Sequence, residues 1–88
     1  MPKYRVVLSK RAFKFLESLD GKTRQRVIDD LDGLANSSYD KSLDIAKLKG
    51  EKDYYRLRTG KIRLIFKIDK AAEAILVRKI AYREAAYE

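Results

Sequence analysis

Residues 54–66 read Tyr54-Tyr55-Arg56-Leu57-Arg58-Thr59-Gly60-Lys61-Ile62-Arg63-Leu64-Ile65-Phe66. Two β-prone runs flank a Thr-Gly pair, which predicts a hairpin with its tight turn at Thr59-Gly60. That turn sets Arg56 opposite Arg63, Leu57 opposite Ile62 and Tyr55 opposite Leu64. Strand alternation then sends Arg56, Arg58, Lys61 and Arg63 toward one face at the turn end. Like charges facing each other cost a few tenths to about 1 kcal/mol, so the arrangement calls for divergent, solvated side chains or for an anion between them. Solvated arginines are common on exposed sheet faces, but planar guanidinium forks gathered around one hairpin suit phosphate.

The two-residue period continues on both sides of this hairpin. Ile45–Leu48, Tyr54–Arg58, Ile62–Ile68 and Ala74–Ile80 are predicted strands, separated by turn signals at Lys49-Gly50, Thr59-Gly60 and Asp69-Lys70. Such short connections make them antiparallel neighbours. Toward the N-terminus, Tyr4–Leu8 is a further strand. Ser9 is placed to cap a helix carrying Ala12, Leu16 and Leu19 until Asp20-Gly21 stops it. A second helix over Thr23–Ala35 aligns Val27, Leu31 and Leu34. The expected fold class is α+β: an N-terminal strand, then an antiparallel helix hairpin on one face of a twisted, mainly antiparallel sheet. Residues 1–88 form a single domain in this reading. The helices cover only one face, so function is expected on the other.

With 88 residues, 45% hydrophobic and 39% charged, the chain has room for one small core that buries about 60% of the surface of its unfolded state. Lys and Arg number 21 against 13 Asp and Glu, a net charge of +8 that makes a polyanionic partner the first hypothesis. The excess is concentrated in residues 47–70, with 9 basic and 3 acidic side chains. No Cys or His is present, which excludes disulfides, Ser-His and Cys-His nucleophile systems, and zinc held by those ligands. Asp29, Asp30 and Asp32 spread around a helix rather than converging, so no metal site is expected there. The glycines form no phosphate loop. No membrane span or signal segment is read, and the expected location is the cytoplasm. Arg83 and Tyr87 stand four apart, so a helical terminal turn would project both from one face over the sheet. Tyr87 has two open readings, a ring anchoring the terminus and a functional group.

The run Lys47-Leu48-Lys49-Gly50, the hairpin from Tyr54 to Phe66, and the terminal Arg83 and Tyr87 together resemble the RelE/ParE toxin superfamily, particularly its RelE branch. The resemblance implies a type II toxin that enters the ribosomal A site, cleaves mRNA there and is restrained by an acidic, RelB-like antitoxin in an oligomeric complex. It implies catalytic roles for Arg56, Arg58, Arg63, Arg83 and Tyr87. Lys47, Lys49, Lys52 and Lys61 are then candidates for RNA or ribosome binding. Many relatives carry histidine immediately before the C-terminal arginine, where this chain has Tyr82.

The residues suit such chemistry without a cofactor or metal. RNA brings its own 2′-hydroxyl nucleophile, so the protein must align it, stabilise charge and move protons. Nearby guanidinium groups favour a tyrosine phenolate, which makes Tyr87 a usable base, and Arg83 is assigned to the leaving group. The alternative within the superfamily is a ParE-like inhibitor of DNA gyrase without RNase activity. A plain nucleic-acid-binding module is the third reading.

Overall fold

The computed structural model describes residues 3–37, 43–48, 50 and 53–83. In chain order these form β1 (Arg5–Leu8), α1 (Lys10–Ser18), α2 (Gly21–Ser37), β2 (Asp44–Lys47), β3 (Tyr54–Thr59), β4 (Ile62–Asp69) and β5 (Ala74–Tyr82). The fold is the expected α+β arrangement. Two helices pack on a five-stranded sheet of order β1-β5-β4-β3-β2. Adjacent strands from β2 to β5 run antiparallel, and β1 closes the far edge parallel to β5.

Ser9 caps α1 as expected, its Oγ accepting from the Ala12 N–H at 3.0 Å. The same hydroxyl donates to the Arg78 carbonyl at 2.8 Å, so one side chain both starts the helix and fastens it to β5. The break between the helices differs from the sequence reading. Gly21 does not stop α1; it is the first residue of α2. Asp20 caps that helix by accepting from the Thr23 N–H at 3.1 Å. Hydrogen bonding from the Thr23 side chain, and after it from the Thr23 backbone N–H, holds the Asp20 carboxyl below its ordinary value, and capping chemistry thereby turns a stop signal into a start.

Ala12, Leu16 and Leu19 from the first helical segment join Val27, Leu31 and Leu34 of α2 over Leu57, Leu64, Phe66, Ile75, Val77 and Ile80 of the sheet, in one buried cluster. Each such large apolar side chain contributes roughly 1.5–3 kcal/mol by leaving water. Tyr55 and Phe66, cross-strand partners, stack with ring centres 5.6 Å apart.

The hairpin register differs from the expected one. The two turn residues are Gly60 and Lys61, and the pairs are Thr59 with Ile62, Arg58 with Arg63, Leu57 with Leu64 and Arg56 with Ile65. Gly60 has φ +62° while Lys61 keeps a negative φ, the signs of a type II′ turn that matches strand twist and favours glycine first. Thr59, β-branched, stays in the strand. The slip moves each partner by two residues, so every side chain keeps its expected face.

A second irregularity lies in β5. Ile65 pairs with Lys79 but Phe66 pairs with Val77, leaving Arg78 as the extra residue of a β-bulge. Ile75 and Val77 face the core before it, and Ile80 faces the core after it. The bulge therefore reverses which positions of β5 point at the helices.

Candidate functional site

The face without helices is built from rungs whose register is fixed by the strands. One rung runs Asp44, Arg58, Arg63, Ala81, and the next runs Ala46, Arg56, Ile65, Lys79. Three arginines are thus assembled on adjacent positions of β3 and β4, as the alternation predicts. Arg58, not Arg56, faces Arg63.

The like-charged pair has a local counter-charge. Asp44, at the start of edge strand β2, places Oδ1 3.4 Å from Arg56 Nη1 and Oδ2 3.8 Å from Arg58 Nη1. A single carboxylate lies between the two guanidinium groups, accepting a long hydrogen bond from Arg56 and forming a looser ion pair with Arg58. The Arg58 Nε is buried without a hydrogen-bond partner among the described residues, so part of its donor capacity is unmet. Sequence reading missed Asp44. Its signal was available in the alternation of β2, once that strand is aligned on β3.

Burial departs from the solvated face expected for these arginines. Arg63 is only 7% exposed, and Ile65 and Ala81 beside it are buried too. Side chains on neighbouring strands cover one another, and burial reaches the guanidinium groups themselves, since the Nε atoms of Arg58 and Arg63 are both buried. Arg63 is therefore part of the packing of this face as well as a source of charge.

The C-terminal end of β5 meets the hairpin tip. The Arg83 N–H donates to the Lys61 carbonyl at 2.8 Å, continuing the ladder one step past the Ile62–Tyr82 pair. Arg83 thus sits opposite Lys61, at the parity of the Arg58–Arg63 rung. Both residues are exposed. Lys47 is exposed as well, but it pairs with Tyr55 on the helix-facing parity and stands apart from the arginines. Lys49, Lys52 and Tyr87 lie outside the described residues.

The face extends further than the sequence reading placed it. Lys67, Arg78 and Lys79 were not singled out. The bulge turns Arg78 so that its guanidinium carbon lies 4.4 Å from the centre of the Tyr54 ring, a cation–π contact. Tyr54 in turn pairs with Lys67. The signal for the bulge is the three-residue step from Val77 to Ile80, which breaks strict alternation. Among the described residues no group of three or more His, Cys, Asp or Glu converges in a way that would hold a metal, and no helix is long and apolar enough to cross a membrane.

Comparison with known proteins places this chain in a family. The pattern of the ParE toxin of the type II toxin–antitoxin system parDE matches residues 6–87. Toxin RelE3 of Methanocaldococcus jannaschii is 31% identical over 87 residues, covering 96% of each chain. Among solved structures, the archaeal RelE–RelB complex from Pyrococcus horikoshii superposes with a TM-score of 0.82 at 30% identity. It covers 96% of this chain and 99% of that one. The RelB–RelE antitoxin–toxin complex from Methanococcus jannaschii gives 0.76 at 28% identity, covering 92% and 94%. With an arginine-lined sheet face, this fold and these relatives in agreement over almost its whole length, the chain belongs to the RelE/ParE family as a RelE-like toxin of a type II toxin–antitoxin system.

Proposed function

We propose that this toxin is a metal-independent endoribonuclease that cuts mRNA in the ribosomal A site, with residues 1–88 acting as one toxin domain in the cytoplasm. The observation that carries the reading is the grouping of Arg56, Arg58 and Arg63 on one face, with Lys61 and Arg83 at its end. The arginines hold the scissile phosphate where Asp44 now sits. The RNA 2′-oxygen attacks phosphorus and the bond to the 5′-oxygen breaks, yielding a 2′,3′-cyclic phosphate and a 5′-hydroxyl. Arg56, Arg58 and Arg63 offset the added negative charge in the transition state. Tyr87 takes the proton from the 2′-hydroxyl, and Arg83 stabilises the departing 5′-oxygen, which acquires its proton from water. Lys47, Lys49, Lys52 and Lys61 contact RNA or the ribosome.

The partner in this reading is an acidic RelB-like antitoxin, assembled with the toxin into an oligomer. Support comes from the two archaeal relatives, both of which are complexes with RelB. The decisive experiment uses ribosomes programmed with a defined message: cleavage within the A-site codon leaving the stated ends supports the proposal. Inertness of folded toxin across codons and compatible ribosomes refutes it. The ParE family match favours one rival, inhibition of DNA gyrase, which predicts trapped gyrase–DNA complexes and intact messages.

A further inference from the structure

On the helix side of the hairpin tip, a cavity of about 440 Å³ opens between the start of α2 and the β3–β4 turn. Lys22, Thr23, Arg26, Thr59, Lys61 and Tyr82 line it, together with Asp20 and Gly60. We propose that this cavity is a second phosphate-binding site, occupied by a phosphodiester of the RNA that the toxin engages. The proposal rests on the RNA reading above, shares Lys61 with it, and extends it to the helix side of the tip, where Lys22, Thr23, Arg26 and Thr59 have no role in that reading.

The charge balance of the lining is three cations against one carboxylate. Among the described residues, Lys22, Arg26 and Lys61 form no ion pair. The single carboxylate, Asp20, is engaged by the Thr23 N–H. Independently, the cavity contains an unmet hydrogen bond. Thr59 is 2% exposed, and its hydroxyl has no partner among the described residues. A buried polar group left in that state is costly, and a phosphate oxygen would accept from it.

The turn also admits a guanidinium. Arg26 Nη1 lies 3.5 Å from the point where a side chain at Gly60 would begin, so the arginine rests directly against the turn backbone. A guanidinium, two ammonium-bearing side chains and a hydroxyl thus line one cavity, a donor set suited to a tetrahedral anion.

Continuity with the arginine face favours RNA over an acidic protein as the occupant. The Thr59–Ile62 rung is next to the Arg58–Arg63 rung but has the opposite parity. A single strand bent over the hairpin tip would therefore meet cations on both sides. Tyr82, 51% exposed and held edge-on by Phe15 with ring centres 5.4 Å apart, offers a ring for base stacking beside the phosphate.

The test uses two probes on the full chain. Inorganic phosphate is titrated while backbone amide resonances are followed, and a single-stranded RNA oligonucleotide is bound over a range of salt. Phosphate is expected to shift Thr23, Thr59, Gly60 and Lys61, and Thr59→Val to weaken those shifts. Lys22→Gln/Arg26→Gln is expected to weaken RNA binding about tenfold or more at low salt. It should also flatten the salt slope by about 0.7 per lost phosphate contact.

Phosphate shifts confined to the arginine face, or an unchanged salt slope in the double variant, would overturn the proposal. Variants that weaken only an acidic antitoxin peptide would overturn it in favour of a protein occupant. Toxin that binds RNA through the tip yet leaves ribosome-bound messages intact would remove the cleavage reading and keep this site. Active toxin whose double variant binds and cuts like the parent would remove this site alone.

Discussion

Asp44→Asn should weaken the fold and strengthen RNA binding at the same time. The substitution keeps the size and shape of the side chain while removing the charge between Arg56 and Arg58. At the observed 3.4 Å, two unit charges attract by about 5 kcal/mol at an effective dielectric of 20. Asp44 is 55% exposed, however, and exposed pairs of this kind net only about 0.2–1 kcal/mol each. Two pairs thus sum to about 1 kcal/mol, which for a domain of this size lowers Tm by about 4–8 °C. The arginines must leave Asp44 to hold phosphate, so the same energy opposes RNA binding in the parent. Its removal should tighten binding about fivefold at low salt, and the gain should shrink as salt rises. Thermal melts and fluorescence anisotropy with a labelled single-stranded RNA provide the two readings. Unchanged Tm and affinity would show that the bridging carboxylate contributes nothing. A fall in both would show that Asp44 positions the arginines rather than competing for them.

Arg63→Met keeps much of the buried stem but removes the charge, so programmed-ribosome cleavage should fall by about 100-fold or more while the protein still melts cooperatively. Near-parental cleavage with a collapsed Tm would make Arg63 a packing residue. Gly60→Val forces a β-branched residue into positive φ and should cost about 1–2 kcal/mol, read as a drop in the urea midpoint, with Gly60→Asn closer to the parent. For Asp20, whose folded pKa lies below its unfolded one, the carboxylate's contribution is present above the unfolded value and is lost as pH falls through the folded value. Acid melts should therefore show a stability loss in that range that is smaller in Asp20→Asn, and equal acid limbs would refute the cap.

The pattern of apolar residues made the architecture legible, because both helices follow a helical period and the strands are β-prone runs that alternate except at the β5 bulge. Loop chemistry was read less well. The Thr59-Gly60 pair marks the turn, but whether glycine comes first or second in it depends on the sign of its φ, which composition does not reveal. Face assignments survived because the error was an even number of residues. Arg56, Arg58 and Arg63 were legible as a group since they share parity on adjacent strands. Asp44, Arg78 and Arg26 were not, because their roles arise from tertiary placement: an edge strand laid beside β3, a bulge in β5, and a helix docked over the tip.

The parallel pairing of β1 with β5 joins residues 69 positions apart, Arg5 with Ala74 and Val6 with Ile75. Ser9, which starts α1, is likewise fastened to Arg78. Strand β1 therefore has no edge to dock on until Ala74–Val77 have been synthesised. Long-range closure of this kind is slow relative to local helix formation. During translation, the helix pair can form while β4 lacks its outer neighbour and Arg83 has not yet reached Lys61. The arginine face is thus completed last, giving a cell that makes this protein an interval in which the nascent toxin is present but unfinished.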